Sequence, residues 1–439
     1  MSMNRKRLGA LLCVVVIGIA AAASAGASSQ SAPGVTPTSV SIGGTFPLTG
    51  PAALYKTIPA AENAYYSWVN SHGQVKGRDI NLTVVDDQYN PALTVPAVKD
   101  LVENQHVFGI VGSLGTAPGL ATWAYLNQHK VPQALLATGD SYWGSCMASG
   151  AFKPIAGVCA TPKPWTVGWQ PDYPSEARMY AKYIRSHPPV GGPKIGIIYQ
   201  NDAYGLNYRA AFRKVFANNG ELSSIVQEET YNVGDSSAVI GGHINNIKNA
   251  GANTLVIFAT PTASIQSIAA SKSLGFTPDM FLNNVSANRV FLLSAESACA
   301  SACANGVISS TYIKSWTTFP HDDPGMALAE DVIQATGDAA LIGRFHAGDS
   351  NIVYGLAVAW TFVDALKRAG ASPTRGSLMT ALRTLSEGPT VNKNPLVYPG
   401  MKVYTDSLRT HPMQQLQLMK WNGTTHDWDT FGGVVVSGH

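Results

Sequence analysis

The stretch VGSLGTAPGLATWAYLNQHKVPQALLATGDS, residues 111–141, decides the fold. An apolar run closes at its start, a helix-like run spans 117–130, and a second apolar run, VPQALLAT, spans 131–138. Strand, helix and strand with short joints make a βαβ unit, which lays two parallel strands side by side and aligns their carboxyl ends. Thr116 follows the first strand, and Thr138 with Gly139 follows the second, so the two threonines reach one sheet edge together.

The same alternation extends in both directions. Upstream lie VSIGGTF (40–46), a helical pattern near 58–72, INLTVVDDQ (80–88), another helix near 92–105, and VFGIVGS (107–113). Downstream the series restarts with ARMYAKYI as helix, KIGIIYQ (194–200) as strand and LNYRAAFRKVFANNG as helix. It continues through SSIVQEETY, a helix near 236–250, NTLVIFAT (253–260), a helix at 263–274, MFLNN (280–284) and GVISSTYI (306–313). Helical patterns follow at 324–336, 350–369 and 375–385, and QLQLMKW (415–421) reads as a closing strand. Strands alternating with helices predict an α/β protein with doubly wound parallel sheets, here in two lobes between which the chain crosses more than once.

Length and composition agree with this. The chain has 439 residues, 45% hydrophobic and 13% charged, enough for two cored domains and too apolar for disorder. Arg5, Lys6 and Arg7 precede an apolar or small run from Leu8 to Ala23 and then ASAGASS, the pattern of a secretory signal cleaved near Ala25 or Ala27. The alternative, a membrane anchor, requires a longer run than these roughly 16 residues. A Ser/Pro/Thr-rich leader covers 28–38. Loss of 1–27 leaves 27 basic and 27 acidic residues, so no basic field for nucleic acid remains. Four cysteines are then left, Cys146, Cys159, Cys299 and Cys303, and proximity pairs 146 with 159 and 299 with 303. No histidines stand at zinc-finger spacing beside them, so neither a metal nor a cofactor is expected.

Ligands of open α/β sheets bind beyond the strand ends, where helix N-termini offer unpaired N–H groups and partial positive charge. Thr116 and Thr138 there suit a carboxylate, although a threonine before a helix also serves as a plain cap. Serine hydrolase chemistry lacks its elbow, since VGSLG has Val111 in the first glycine position and GDSYW has Trp143 in the last. No G-x-G-x-x-G, P-loop or H-E-x-x-H motif is present, and HDD at 321–323 reads as a solvated turn.

Four segments, IGGTFPLTGPAALY (42–55), GRDINLTVVDDQYNPALTVPAVKDLV (77–102), GIVGSLGT (109–116) and KIGIIYQNDAYGLNY (194–208), resemble in order and spacing the leucine/isoleucine/valine-binding family of extracytoplasmic solute-binding proteins that serve ABC importers. The similarity covers nearly all of 39–425. It implies two lobes joined by a three-stranded hinge, with crossovers near 165, 311 and 411. Lobe 1 is then 39–165 with 312–410, and lobe 2 is 166–311 with 411–439. The resemblance places Tyr55 against the ligand side chain, Thr116 on its carboxylate, and Ala137, Thr138 and Gly139 on its main chain. From the other lobe come Tyr204 and Thr260. The family's acidic partner for a ligand ammonium falls near Asn284 and Val285, neither of them acidic. A buried unpaired ammonium is costly. The expectation is therefore a monomeric, non-enzymatic binder of a small carboxylate-bearing solute that tolerates loss of the amine, unless Asp140 or Asp202 turns inward. Its partners are membrane permease subunits outside the cytoplasm. A sensing module for a receptor or kinase would need the same cleft and a docking face.

Overall fold

The structure, a computed structural model, describes residues 32–145, 162–385, 394–405 and 410–436. The expected signal segment, the start of the expected leader and the expected Cys146–Cys159 bridge lie outside the described residues, as do the segments 386–393 and 406–409.

Two sheets carry the fold. The first contains β1 (Ser39–Phe46), β2 (Asp79–Asp86), β3 (Ile110–Val111), β4 (Gln133–Leu136) and β5 (Thr166–Gly168), all parallel, in the order β2-β1-β3-β4-β5. The second contains β6 (Ile195–Gln200), β7 (Ile225–Tyr231), β8 (Thr254–Phe258), β9 (Asp279–Leu282), β10 (Ile308–Thr311), β11 (Gln415–Asn422) and β12 (Asp427–Thr430), in the order β12-β11-β10-β9-β8-β6-β7. Its strands are parallel from β7 to β10; β11, β12 and β13 (Val435–Val436) add an antiparallel edge. The central strands have no solvent face: all six residues of β6 and all five of β8 are buried, which continuous apolar runs allow and alternating ones do not.

Helices α1 (Thr57–Ser71), α2 (Pro91–Glu103), α3 (Thr116–Gln128) and the short α4 (Tyr142–Ser145) connect the first sheet. Helices α5 (Tyr173–Ser186), α6 (Ala203–Asn218), α7 (Ser237–Asn249), α8 (Pro261–Ser273) and α9 (Arg289–Cys299) belong with the second. After β10 come α10 (Pro324–Gln334), α11 (Ala339–His346), α12 (Ser350–Arg368) and α13 (Arg375–Leu382). Side-chain caps start many of them: Asn90 accepts from Ala92 N, Asp202 from Tyr204 and Gly205 N, and Asp349 from Asn351 N. Asp323 of the HDD turn is such a cap as well, accepting from the N–H of Gly325 and Met326 while Lys314 Nζ lies 2.6 Å from its Oδ1. The long α12 is buried along most of its length and packs on α1, close enough at Gly355 that a Cβ would collide with Ile58 O.

Three segments link the sheets. Met413 N donates to Trp169 O at 3.3 Å, Tyr398 N to Tyr312 O at 2.9 Å, and Ile313 bridges Val397. The Trp169 ring stands 5.8 Å from Tyr312 and 5.0 Å from Tyr354, so the joint between lobes is an aromatic layer. Cys299 and Cys303 form a disulfide at the end of α9.

Candidate ligand-binding site

The carboxyl ends of both sheets face one cavity, which with its open mouth holds ≈ 1080 Å³ of empty space. Seven tyrosines line it: Tyr55, Tyr89, Tyr173, Tyr204, Tyr312, Tyr354 and Tyr398. The first two follow β1 and β2, Tyr204 follows β6 at the start of α6, and Tyr173, Tyr312 and Tyr354 come from the joint and from α12. Tyr89 reaches the cavity because Gly115, at φ 110°, has no side chain: a Cβ there would lie 2.6 Å from the Tyr89 ring.

Of the residues expected at the site, Tyr55, Ala137, Tyr204, Thr260 and Asn284 line the cavity; Thr116, Thr138 and Gly139 stand directly behind the wall. The two threonine hydroxyls lie 2.6 Å apart and are fully buried, and Tyr173 OH donates to Thr138 Oγ1 at 3.2 Å. Gln170 Nε2 donates to Tyr173 OH at 3.5 Å, and Tyr354 OH donates to Gln170 Oε1 at 3.0 Å, so one hydrogen-bond chain runs from α12 through the joint to both strand ends. Thr116 is the first helical residue, with Gly115 at the cap and no side-chain cap bond, so its hydroxyl serves this chain and not its helix. Thr260 likewise makes no cap bond; its hydroxyl meets Tyr231 OH at 3.1 Å. Gly139 accepts from Tyr173 N at 2.8 Å, and a Cβ there would collide with Pro171 O.

No Asp or Glu is among the lining residues. Asp140 stays behind the wall, accepting from Tyr142 N at 2.8 Å, and burial pushes its carboxyl up to about 7. Asp202 is spent on capping α6 and on Gln200 Nε2 at 2.6 Å; burial raises its pKa too. The two cations that line the outer part are engaged: Lys314 with Asp323, and Arg289 with Ala347 O at 2.8 Å and with Asp427 at 3.3 Å. Several bonds cross between the strand ends of the two sheets: Tyr55 OH to Val285 O at 3.2 Å, Thr262 Oγ1 to Pro51 O at 3.0 Å, and Asn207 Nδ2 to Ser141 Oγ at 3.1 Å. The cleft is closed.

A model of the periplasmic binding protein family matches residues 39–426. The chain belongs to that family. Solved periplasmic binding proteins share the fold at low identity. A branched-chain amino acid ABC transporter protein from Thermus thermophilus with bound valine superposes with a TM-score of 0.75 at 18% identity, covering 92% of this chain and 98% of that one. A fatty acid ABC transporter substrate-binding protein from Thermomonospora curvata gives 0.72 at 19%, covering 93% and 95%. A leucine-binding protein from Thermotoga maritima gives 0.66 at 13%, covering 90% and 99%. No curated protein sequence matches the chain.

Sequence reasoning did not reach Tyr89, Gln170, Tyr173, Tyr312 or Tyr354. For Tyr89 a signal exists, since it stands just past the carboxyl end of VVDDQ, where ligands of such sheets bind. The joint residues acquire their place only from how three distant segments meet, and Tyr354 reads as one more apolar position of a buried helix.

Proposed function

We propose that this periplasmic binding protein captures a small carboxylate-bearing solute in the tyrosine-lined cleft, outside the cytoplasmic membrane, and presents it to an ABC permease without chemical change. The observation that carries the reading is the closed cleft itself: one cavity at the carboxyl ends of two sheets, bridged by hydrogen bonds from both sides. The valine and the fatty acid named for two structurally similar proteins both combine a carboxylate with an apolar body. Lobe 1 comprises 39–168 and 312–410 and lobe 2 comprises 169–311 and 411–439; because β5 pairs with β4, the first crossover runs just beyond Gly168 and not near 165. The carboxylate is received at Gly115, Thr116 and Ala137, where it takes the place of the Thr116–Thr138 hydrogen bond.

Calorimetric titration with valine, leucine, 4-methyl-2-oxopentanoate and benzoate tests this. One ligand per chain is expected, and Thr116→Ala should weaken carboxylate binding about tenfold or more, the worth of one hydrogen bond to a charged group. Turnover of the ligand, or an unchanged affinity in Thr116→Ala, would overturn it.

A further inference from the structure

The cavity runs further along the second sheet than an amino acid requires. Its wall takes Tyr204 beyond β6, Thr260 beyond β8, Asn284 beyond β9, Thr311 of β10, Met419 of β11 and Trp428 of β12. These strands are successive neighbours in the order β12-β11-β10-β9-β8-β6. Five spacings of about 4.8 Å put the two ends of the row about 24 Å apart along the sheet. The strand-end threonines lie at the β6 side, because Tyr173, which donates to Thr138 Oγ1, stands edge-on to Tyr204 with ring centroids 5.1 Å apart.

The far end has another character. Ile313, Phe319, Tyr398, Met419 and Trp428 surround it, with Tyr398 edge-on to Phe319 at 5.6 Å and Trp428 edge-on to Trp421 at 5.3 Å. Its two cations are neutralised, Lys314 by Asp323 at 2.6 Å and Arg289 by Asp427 at 3.3 Å. Among the described residues no unpaired charge is left there to meet a second ionic group, whereas aromatic and aliphatic faces suit hydrocarbon. The front of the cleft is bridged at Pro51–Thr262 and Ser141–Asn207, while Thr318 and Thr430 on the far rim are exposed, so the cavity opens at this end.

We propose that the cleft holds an elongated solute, a straight-chain carboxylate whose head sits at Gly115, Thr116 and Ala137 and whose hydrocarbon tail runs past β9 and β10 to Met419 and Trp428. The inference rests on the solute-binding reading of this cleft and deepens it by fixing the length of the ligand's apolar body. Contact distances of about 4 Å at each end leave about 16 Å of the row for the ligand itself. An extended chain advances about 3.5 Å over three bonds, so about 13 bonds fill that length, the reach of a carboxylate with about twelve to fourteen carbons. A free leucine occupies only the inner end and leaves the aromatic far end in water. Each added methylene that covers it removes apolar surface from water, which is about fourfold in affinity where burial is complete.

The test is calorimetry on the full chain with leucine, pentanoate, octanoate and dodecanoate, each below the concentration at which it forms micelles, repeated on Thr318→Trp, Phe319→Ala and Thr116→Ala. Dodecanoate should bind as one molecule per chain and about a hundredfold or more tighter than pentanoate. Thr318→Trp brings an indole into the far end from an exposed position, and Phe319→Ala strips one face from it. Each should lower the ratio of dodecanoate to pentanoate affinity about tenfold. An affinity that stops rising between pentanoate and octanoate, several dodecanoates bound per chain, or a ratio unchanged in both variants would overturn the elongated ligand. The solute-binding reading survives that result as long as leucine or pentanoate binds and Thr116→Ala weakens it. If dodecanoate binds with the expected ratio but Thr116→Ala changes nothing, the carboxylate contact falls and the long apolar compartment stands. If no carboxylate binds, both fall together.

Discussion

Glu62 offers a sharp test of the packing around α1. It is 0% exposed, neither carboxylate oxygen has a hydrogen-bond partner among the described residues, and it faces Gly112, where a Cβ would run into those oxygens. Burial alone holds its pKa well above the ordinary 4.5, with Tyr66 and Tyr354 nearby as further groups that feel its charge. The folded chain therefore keeps a proton that the unfolded chain has released, and stability declines as pH rises above 4.5 until the folded pKa is reached. Each pH unit costs about 1.4 kcal/mol, or about 3 kcal/mol between pH 4.5 and pH 7 if the group is still protonated there. Glu62→Gln does not titrate. In urea unfolding followed by tryptophan fluorescence at pH 5, 6, 7 and 8, its stability relative to wild type should climb with that slope. A difference that stays constant across the range would show that Glu62 is ionised and compensated, and would refute the assignment of an unpartnered core carboxyl.

Two other outcomes follow from local geometry. Cys299→Ser opens a loop of separation 4 and should lower stability by about 2 kcal/mol in the chain-entropy model, with ligand affinity unchanged because α9 ends away from the cavity; reduced and oxidised wild type bracket the effect in denaturant melts. Asn207→Ala removes the paired contacts of Asn207 with Ser141 across the cleft, which parting of the two sides would break. It should weaken ligand binding about fivefold, yet leave the unfolding midpoint of the ligand-free protein where it was.

The fold was legible because its signal is repeated and strong. The helix expected at 58–72 spans 57–71, the one at 350–369 spans 350–368, and the strand at 194–200 spans 195–200. Each rests on a long period or a dense β-branched run, which tertiary context seldom overrides. The strands nearest the site are shorter than their apolar runs. VFGIVGS gives only Ile110–Val111 and VPQALLAT only Gln133–Leu136, because Gly112 at φ 67° and Leu135 at φ 53° turn the backbone out of regular pairing, and the register shifts between Gln133 and Leu136. Helices α9 and α11 are absent from the expected series. One lies in a stretch thick with Ser, Ala and Cys, and the other is only eight residues long, about two turns, too short for its period to stand out.

The site was legible at the strand ends and dark everywhere else, and the reason lies in what each kind of residue owes to its neighbours in sequence. A strand end announces itself locally: Thr116, Thr138 and Thr260 each close an apolar run and open a helix or loop. What such a residue bonds to is not local. Thr116 and Thr138 meet each other because β3 and β4 are adjacent, and both meet Tyr173 because the crossover after β5 delivers α5 to the same point. Glu176 is the extreme case. In sequence it is an acid in the first turn of a helix, the commonest place for one, stabilised by the macrodipole and expected in solvent. Its burial comes from Tyr208 of α6, Ser310 of β10 and the turn at Asn284, three elements separated from it by 32, 134 and 108 residues. Nothing in the sequence next to Glu176 signals that burial; only the three-dimensional meeting of those segments produces it.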